Sequence, residues 1–290
     1  MKKKSWLLLI PIAACVILFL GYCAVDRIST DMSAPEIQVN GEMMSVSVND
    51  PREVLLQGIT ASDNRDGDVT DSIVVENIRL LSSDGLVNVG YAAFDSEGNV
   101  AKADRNVQYT DYISPRFTLS EPMMFAENTN FDVLSVINAQ DLLDGDITHR
   151  IRATSMAEGS ITQLGTHNVE FRVTNSLNET VKLIIPVEVY TAGAYEAKLT
   201  LTDYLVYIEA GSYFDEESYL DTFSRGSNKT YLKNGLPYNY SLLTEGEVDT
   251  STPGVYCVDY SVTYTIPNQL SYDMSQSYTG HSKLIVVVEG

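Results

Sequence analysis

Cysteine and basic residues are both scarce in this 290-residue chain, and each shortage excludes a class of protein. Two of its three cysteines, Cys15 and Cys23, lie in an apolar N-terminal run, so Cys257 has no partner in the remainder and a disulfide-stapled fold is excluded. The chain has 19 lysines and arginines against 39 aspartates and glutamates, a formal net charge of −20. Because such a surface repels phosphate backbones, we expect no nucleic-acid partner.

The sequence also lacks the motifs of common enzymes. It contains no nucleophile elbow, no phosphate-binding loop and no His-Glu-x-x-His zinc motif. The three histidines, His149, His167 and His281, are too widely separated to show metal-ligand spacing. Carboxylates are abundant, so a glycosidase-type acid pair stays formally open, but small modules leave little room for a deep catalytic cleft. We therefore expect no enzymatic activity.

A single long apolar run lies at the N-terminus, where residues 6–25 carry no charge and follow Lys2, Lys3 and Lys4. At about 1.5 Å per residue this run would span about 30 Å, the thickness of a hydrocarbon core. The sequence thus predicts a transmembrane helix, with the lipid bilayer as the partner of residues 6–25. The lysines predict a single-pass protein of the cell membrane, with a cytoplasmic N-terminus and extracellular C-terminal domains. A cleaved signal peptide and a lipoprotein modified at Cys15 are the alternatives.

Residues 26–290 show short alternating runs bounded by turn residues, which predicts an all-β fold. An internal repeat begins at Gly85, Gly165 and Gly254, each of which we expect to serve a turn with positive φ. Apolar residues follow each glycine at four, six and eight positions, and this period of two predicts strands with one buried face. The expected buried residues are Val89, Tyr91 and Ala93; Val169, Phe171 and Val173; and Val258, Tyr260 and Val262.

A second repeat, Ala61–Thr70, recurs at Ala139–Thr148. Together the two repeats predict tandem Ig-like β-sandwiches preceded by one transmembrane helix. The expected divisions are residues 1–25 (cytoplasmic lysines and anchor), 34–112 (domain 1), 113–192 (domain 2) and 194–290 (a divergent, tyrosine-rich domain 3).

The first unit resembles a bacterial Ig-like surface domain named from a pesticidal crystal protein, which is similar in style to hyalin repeats. The resemblance rests on Ala61–Thr70, on Val89-Gly90-Tyr91 and on the D-x-x-G-N hairpin Asp95–Asn99. The second unit matches at Asp144–Thr148, and the third keeps the glycine-led strand. The resemblance implies an Ig-like sandwich on a bacterial cell surface, no enzymatic activity and mostly undefined ligands.

Two Asp-Gly-Asp turns are candidate calcium sites, because Ca²⁺ prefers several oxygen ligands. In the alternative, the carboxylates form Asx-type turns by accepting backbone N–H groups. The sequence favours the turns and leaves calcium as a possible cofactor. An EF-hand loop is disfavoured because Ser62 and Gln140 occupy its first acidic position. The candidate ligands are Asp63, Asp66, Asp68, Asp141, Asp144 and Asp146.

The third unit holds 13 of the 18 tyrosines. Several of them fall in two long polar stretches, Phe223–Tyr240 and Pro267–Gly280, where tyrosine is a common contact residue. The alternative is that strands simply favour tyrosine. The candidate contact residues are Tyr231, Tyr238, Tyr240, Tyr272 and Tyr278.

These features predict a membrane-anchored extracellular array for adhesion or ligand binding, whose partner is an extracellular protein or a glycan. The first alternative is a structural spacer or assembly element of a cell-envelope complex. The second is an accessory part of a carbohydrate-active enzyme. Cys257, which the alternation places on an outward face, is either a free thiol able to pair between chains or a neutral residue half-covered by a neighbouring strand.

Overall fold

A computed structural model describes residues 6–29, 31–41, 43–155, 161–266 and 276–290, with only the backbone described for residues 6–10 and 23–29. The structure is mostly β-sheet and contains one α-helix among these residues. The chain divides into two compact units, Met1–Tyr112 and Ile113–Gly290, which are described separately. The division into three domains therefore stays a prediction.

The first unit holds one helix and a seven-stranded β-sandwich. One sheet has the strand order β1-β3-β4 and the other β2-β7-β6-β5. β1 pairs antiparallel with β3, whereas β2 pairs parallel with β7. The first two strands of the unit therefore belong to different sheets, and the two sheets together form an Ig-like sandwich. The elements are α1 (Trp6–Ser29), β1 (Glu36–Val39), β2 (Met44–Val46), β3 (Ile59–Asp63), β4 (Gly67–Asp68), β5 (Val74–Leu80), β6 (Leu86–Phe94) and β7 (Val100–Tyr109).

The predicted transmembrane helix over residues 6–25 is wrong, and with it the single-pass membrane localisation and the bilayer as a partner. A helix does form there, but in the described part of the chain no helix is long and apolar enough to cross a membrane.

The second unit begins with a sandwich of the same plan as the first. Its sheets have the orders β8-β10-β11 and β12-β13-β14-β9, with β9 parallel to β14. The strands are β8 (Arg116–Leu119), β9 (Met124–Ala126), β10 (Ile137–Asp141), β11 (Gly145–Asp146), β12 (Arg152–Ser155), β13 (Gly165–Thr174) and β14 (Thr180–Tyr190).

The remaining strands of the second unit form a third sandwich. Here β16 runs parallel to β21, as β2 does to β7, and the long β21 also pairs with β15. These pairings join six strands in the order β18-β17-β15-β21-β20-β19. The seventh strand, β16, pairs with β21 alone. The strands are β15 (Ala197–Leu201), β16 (Leu205–Glu209), β17 (Leu220–Arg225), β18 (Asn228–Tyr231), β19 (Tyr240–Glu245), β20 (Gly254–Ile266) and β21 (Gln276–Glu289).

The second and third sandwiches share one hydrophobic cluster. At their junction the Phe117 N–H donates to the Tyr207 hydroxyl at 2.9 Å, and the Arg116 guanidinium lies 4.8 Å from the centre of the same ring. Arg116 also pairs with Glu289 at 2.5 Å. Residues 113–290 therefore pack as one compact unit and not as two domains joined by a flexible linker.

The burial predicted from the glycine-led repeat is confirmed in all three sandwiches, where the nine residues are 0–2% exposed. Gly85 and Gly165 have the expected positive φ, +91° and +116°. At Gly85 a Cβ would also lie 2.7 Å from the Tyr109 carbonyl oxygen, so the close approach of β7 needs glycine there as well. Gly254 differs, because its φ lies outside the left-handed region.

Candidate functional site

The Asp-Gly-Asp turn of the first sandwich uses its carboxylates as backbone acceptors. Oδ1 of Asp63 accepts the N–H groups of Arg65 and Asp66 at 2.8 and 3.0 Å, which closes an Asx turn before Gly67. These hydrogen bonds, with that of Asp66 the largest, lower the pKa of Asp63. Asp68 accepts the Thr70 N–H at 3.0 Å, and Thr70 likewise lowers the pKa of Asp68.

The second sandwich repeats this arrangement. Oδ1 of Asp141 accepts the N–H groups of Leu143 and Asp144 at 2.9 and 2.8 Å. The Thr148 N–H donates to Asp146 at 2.9 Å, and hydrogen bonds from Thr148 lower the pKa of Asp146. The two turns are therefore structural equivalents.

Asp144 carries two further bonds. It accepts the guanidinium of Arg150 at 2.6 Å and the N–H of Ser176 at 2.7 Å. Burial by itself would raise the pKa of Asp144, but the hydrogen bonds from Ser176 and Arg150 outweigh it and the pKa is lowered.

These bonds bear on the calcium hypothesis. All six aspartates accept protein N–H groups in these turns or in the contacts between Asp66 and Ser96 and between Asp144 and Ser176. Within the described residues, no group of three or more His, Cys, Asp and Glu side chains is placed to hold a metal ion. Calcium binding at these turns stays a prediction.

Two of the five candidate contact tyrosines, Tyr240 and Tyr278, pack on or in the core of the third sandwich. Tyr240, Tyr264 and Tyr278 are direct neighbours across β19, β20 and β21. The Tyr240 ring packs on Tyr264 at 4.8 Å, and the Arg225 guanidinium lies 3.4 Å from the centre of the buried Tyr278 ring. These tyrosines close one end of the hydrophobic core. Tyr272 lies outside the described residues.

The other two, Tyr231 and Tyr238, project into solvent. Tyr231 is 67% exposed at the end of β18, and Tyr238 is fully exposed in the loop that leads to β19. Lys229 Nζ lies 5.1 Å from the centre of the Tyr231 ring. The structure thus separates the four described candidates into two that pack on the core, Tyr240 and Tyr278, and two on the surface, Tyr231 and Tyr238.

The sequence analysis missed a third exposed tyrosine. Tyr213 is 89% exposed and lies on an open cleft of about 650 Å³ at one end of the third sandwich. Glu216 and Glu247 line the same cleft. The sequence offered one signal, because Gly211 lies two residues before Tyr213 and glycine is typical of turns. In the structure Gly211 has a φ of +81°.

The remaining candidates serve local roles. His281 Nδ1 lies 2.9 Å from the Ser261 hydroxyl, and the His281 ring packs on Tyr195 at 4.2 Å. His167 Nε2 lies 2.7 Å from the Gln163 carbonyl oxygen. Cys257 is a half-buried free thiol whose pKa burial, reinforced by Asp259, raises to about 11.

The topology defines a protein of serial Ig-like β-sandwiches. No protein-family model and no curated protein matches the chain. Among solved structures, the CBM51-2 and INT domains of Clostridium perfringens ZmpB, determined with GlcNAc, are 12% identical with a TM-score of 0.22, and the match covers 88% of this chain and 41% of that one.

Cadherin structures match to a similar degree. Protocadherin gamma B2 domains 1–5 are 10% identical over 90% of this chain and 61% of that one, with a TM-score of 0.19. Human mucin-like protocadherin EC1-2 is 10% identical over 60% of this chain and 98% of that one, with a TM-score of 0.20. This chain therefore spans less than two thirds of the first two structures. Such scores carry no inference about function, and the fold stands on the sheet topology above.

Proposed function

We propose that the chain is a non-enzymatic binding protein that contacts a glycan or a protein through the third sandwich. The observation that carries this proposal is the exposure of Tyr231 and Tyr238 within one segment, residues 231–238. By contrast, Tyr240, Tyr264 and Tyr278 of the same sandwich pack in or against its core.

Exposed tyrosine rings suit this role because they offer a large amphipathic surface with few rotatable bonds to immobilise. A ring face stacks on a sugar ring or packs into a pocket of a protein, and the hydroxyl supplies a hydrogen bond. Segment 231–238 also carries Lys233, and Lys229 lies beside the Tyr231 ring, so positive charge is present next to an exposed ring. We infer that this segment is the contact surface.

The test compares the full chain with its Tyr231→Ala/Tyr238→Ala variant on a glycan array and a peptide array. For the ligand that the full chain binds most strongly, we expect the double variant to bind at least about tenfold more weakly, as loss of hot-spot aromatics does. Leu243→Ala is the matched control, because Leu243 is an exposed large side chain of β19 outside the segment. Equal losses in the variant and the control would overturn the proposal, as would the absence of any array ligand.

A structural spacer is the second candidate, and one observation favours it. Lys283 of β21, whose side chain is 8% exposed, pairs with Glu188 of β14 at 2.9 Å and with Asp259 of β20. This link joins the second and third sandwiches and stiffens residues 113–290. A spacer role predicts one cooperative unfolding transition for these residues, and separate transitions for residues 113–192 and 194–290 would count against it.

The resemblance of the first two sandwiches to the bacterial Ig-like domain remains a proposal, and their hairpins support it. The Asn99 N–H donates to Asp95 at 2.7 Å, and the Glu179 N–H donates to Asn175 at 2.9 Å. Asn178 adopts a φ of +62°, so it takes the left-handed position that glycine holds in the D-x-x-G-N hairpin.

A further inference from the structure

The cleft beside Tyr213 is a second candidate site, separate from segment 231–238. It lies between the loop that follows β16 and the loop that joins β19 to β20, and its volume is about 650 Å³. None of its lining residues belongs to segment 231–238. The residues that carry the argument are Tyr213, Glu216, Thr244, Gly246, Glu247 and Thr250.

Two glycines shape the cleft. The Gly211 N–H donates to the Thr250 carbonyl at 2.6 Å, which ties the two loops together. Gly246 has a φ of +98°, and a Cβ at this position would collide with the Cys257 carbonyl oxygen. Both turns therefore favour glycine, and the hydrogen bond between Gly211 and Thr250 joins the two walls of the cleft.

Glu216 is held in place from two sides. The Thr244 hydroxyl donates to Oε1 of its carboxylate at 2.7 Å. The buried Tyr260 donates its hydroxyl to the Glu216 carbonyl at 2.9 Å, which anchors the backbone to the core. The Thr244 hydroxyl thus takes one lone pair of the carboxylate, which has further acceptor positions on both oxygens.

The charge of the cleft selects the ligand. Its ten lining residues include two carboxylates, Glu216 and Glu247, and no lysine, arginine or histidine. The ring of Tyr213 stands almost fully in solvent at the same cleft. A cation binds both features at once, because an aromatic face and a carboxylate each attract positive charge.

We propose that this cleft binds an arginine side chain of a partner protein. A guanidinium is planar, so it stacks on a tyrosine ring while it donates paired hydrogen bonds to a carboxylate. An ammonium group offers one point of charge and does not stack. A neutral sugar makes no use of the two negative charges. The proposal deepens the binding role proposed above, but it concerns a different set of residues and is tested separately.

The probe is an acetylated, amidated peptide of alternating glycine and arginine with four arginines, titrated into the full chain at physiological salt. The same peptide with citrulline in place of arginine keeps the shape and loses the charge. We expect saturable binding of the arginine peptide, with the citrulline peptide at least about tenfold weaker. Glu216→Gln and Tyr213→Ala are each expected to weaken the arginine peptide at least about fivefold, as loss of a charge-assisted or stacked contact does.

Glu217→Gln is the matched control, because it removes the same charge from the next residue, which does not line the cleft. It is expected to bind the peptide as the parent chain does. Equal weakening by Glu216→Gln and Glu217→Gln would show attraction to net charge alone and would overturn the proposal. Equal binding of the citrulline peptide, or binding only of array glycans, would overturn it as well.

The Tyr231→Ala/Tyr238→Ala variant separates this proposal from the proposed function. It is expected to bind the arginine peptide normally even where it loses its array ligand. Loss of the peptide in this variant, with Tyr213→Ala unchanged, would place the cationic site in segment 231–238 and contradict the assignment to the cleft.

Discussion

The carboxylate of Asp66 accepts two hydrogen bonds from Ser96, one from the backbone N–H at 2.7 Å and one from the hydroxyl at 3.0 Å. Asp66 belongs to the turn between β3 and β4 of one sheet, and Ser96 to the hairpin between β6 and β7 of the other. Asp144 and Ser176 make the same backbone contact in the second sandwich, also at 2.7 Å. The first aspartate of each Asp-Gly-Asp turn therefore clamps the two sheets together at one end.

Removing this clamp has a local cost. We expect Asp66→Ala to lower the free energy of unfolding of the first sandwich by about 1 kcal/mol, the usual net value of an exposed hydrogen-bonding group. Hydrogen exchange followed by mass spectrometry should show faster exchange in the β6–β7 hairpin. Asp71→Ala, at an exposed aspartate of a neighbouring turn, is the control. Equal exchange in the hairpin of both variants would contradict the clamp.

Acid should weaken the second sandwich through Asp144. Its pKa in the folded state lies below the ordinary value of 3.8, so ionised Asp144 stabilises the fold above that pH. The contribution is lost as the pH falls through 3.8 toward the folded-state pKa. In urea titrations from pH 7 to pH 2.5, we expect the parent chain to exceed Asp144→Asn in stability at pH 7 and the gap to close below about pH 4.

The control for this titration is Asp203→Asn, at an exposed aspartate in the turn between β15 and β16. It should track the parent chain over the whole range. A gap between parent and Asp144→Asn that stays constant with pH would show that the loss comes from shape and not from ionisation of Asp144.

Local patterns predicted the cores well. The rhythm Val89, Tyr91, Ala93 is a property of one strand, and the face that it defines is buried wherever the strand sits in a sandwich. The Asx turn at Asp63 was likewise foreseeable, since its acceptor and donors lie within three residues.

Contacts between distant strands were not predictable in this way. Tyr240 and Tyr278 were assigned to polar stretches, yet they continue the inward face of β19 and β21 and meet Tyr264 between them. The cleft at Tyr213 forms because Gly211 meets Thr250, which no spacing in the sequence indicates. The transmembrane helix at residues 6–25 was predicted from the length and low polarity of that run alone, and the structure does not support it.

Lys283 links the second and third sandwiches, and its loss should be costly. Lys283→Met would leave Glu188 and Asp259 facing each other without the cation that both now bind. Because Glu188 and Asp259 are 22% and 43% exposed, the loss should fall between that of a buried pair and that of a surface pair, about 2 kcal/mol. We expect that loss in the unfolding free energy of residues 113–290, measured on the full chain by circular dichroism in urea.

The matched control for that measurement is Lys198→Met, because Lys198 is well exposed and lies 3.7 Å from the exposed Glu121. Such surface pairs contribute about 0–1 kcal/mol. A loss for Lys283→Met no larger than that of Lys198→Met would mean that the junction is held by its apolar contacts alone.

Cys257 should be a poor nucleophile in the folded protein. Burial raises the pKa of its thiol from 9.0 to about 11, which reduces the thiolate present at pH 8 about a hundredfold. In a Cys15→Ser/Cys23→Ser background, we expect iodoacetamide to modify Cys257 at least about a hundredfold more slowly in buffer than in urea, since the thiolate is the reacting species. The same variant should stay free of disulfide-linked dimers on a non-reducing gel. Modification at equal rates in buffer and in urea would contradict this prediction. It would instead support the interpretation of Cys257 as an exposed thiol able to pair between chains.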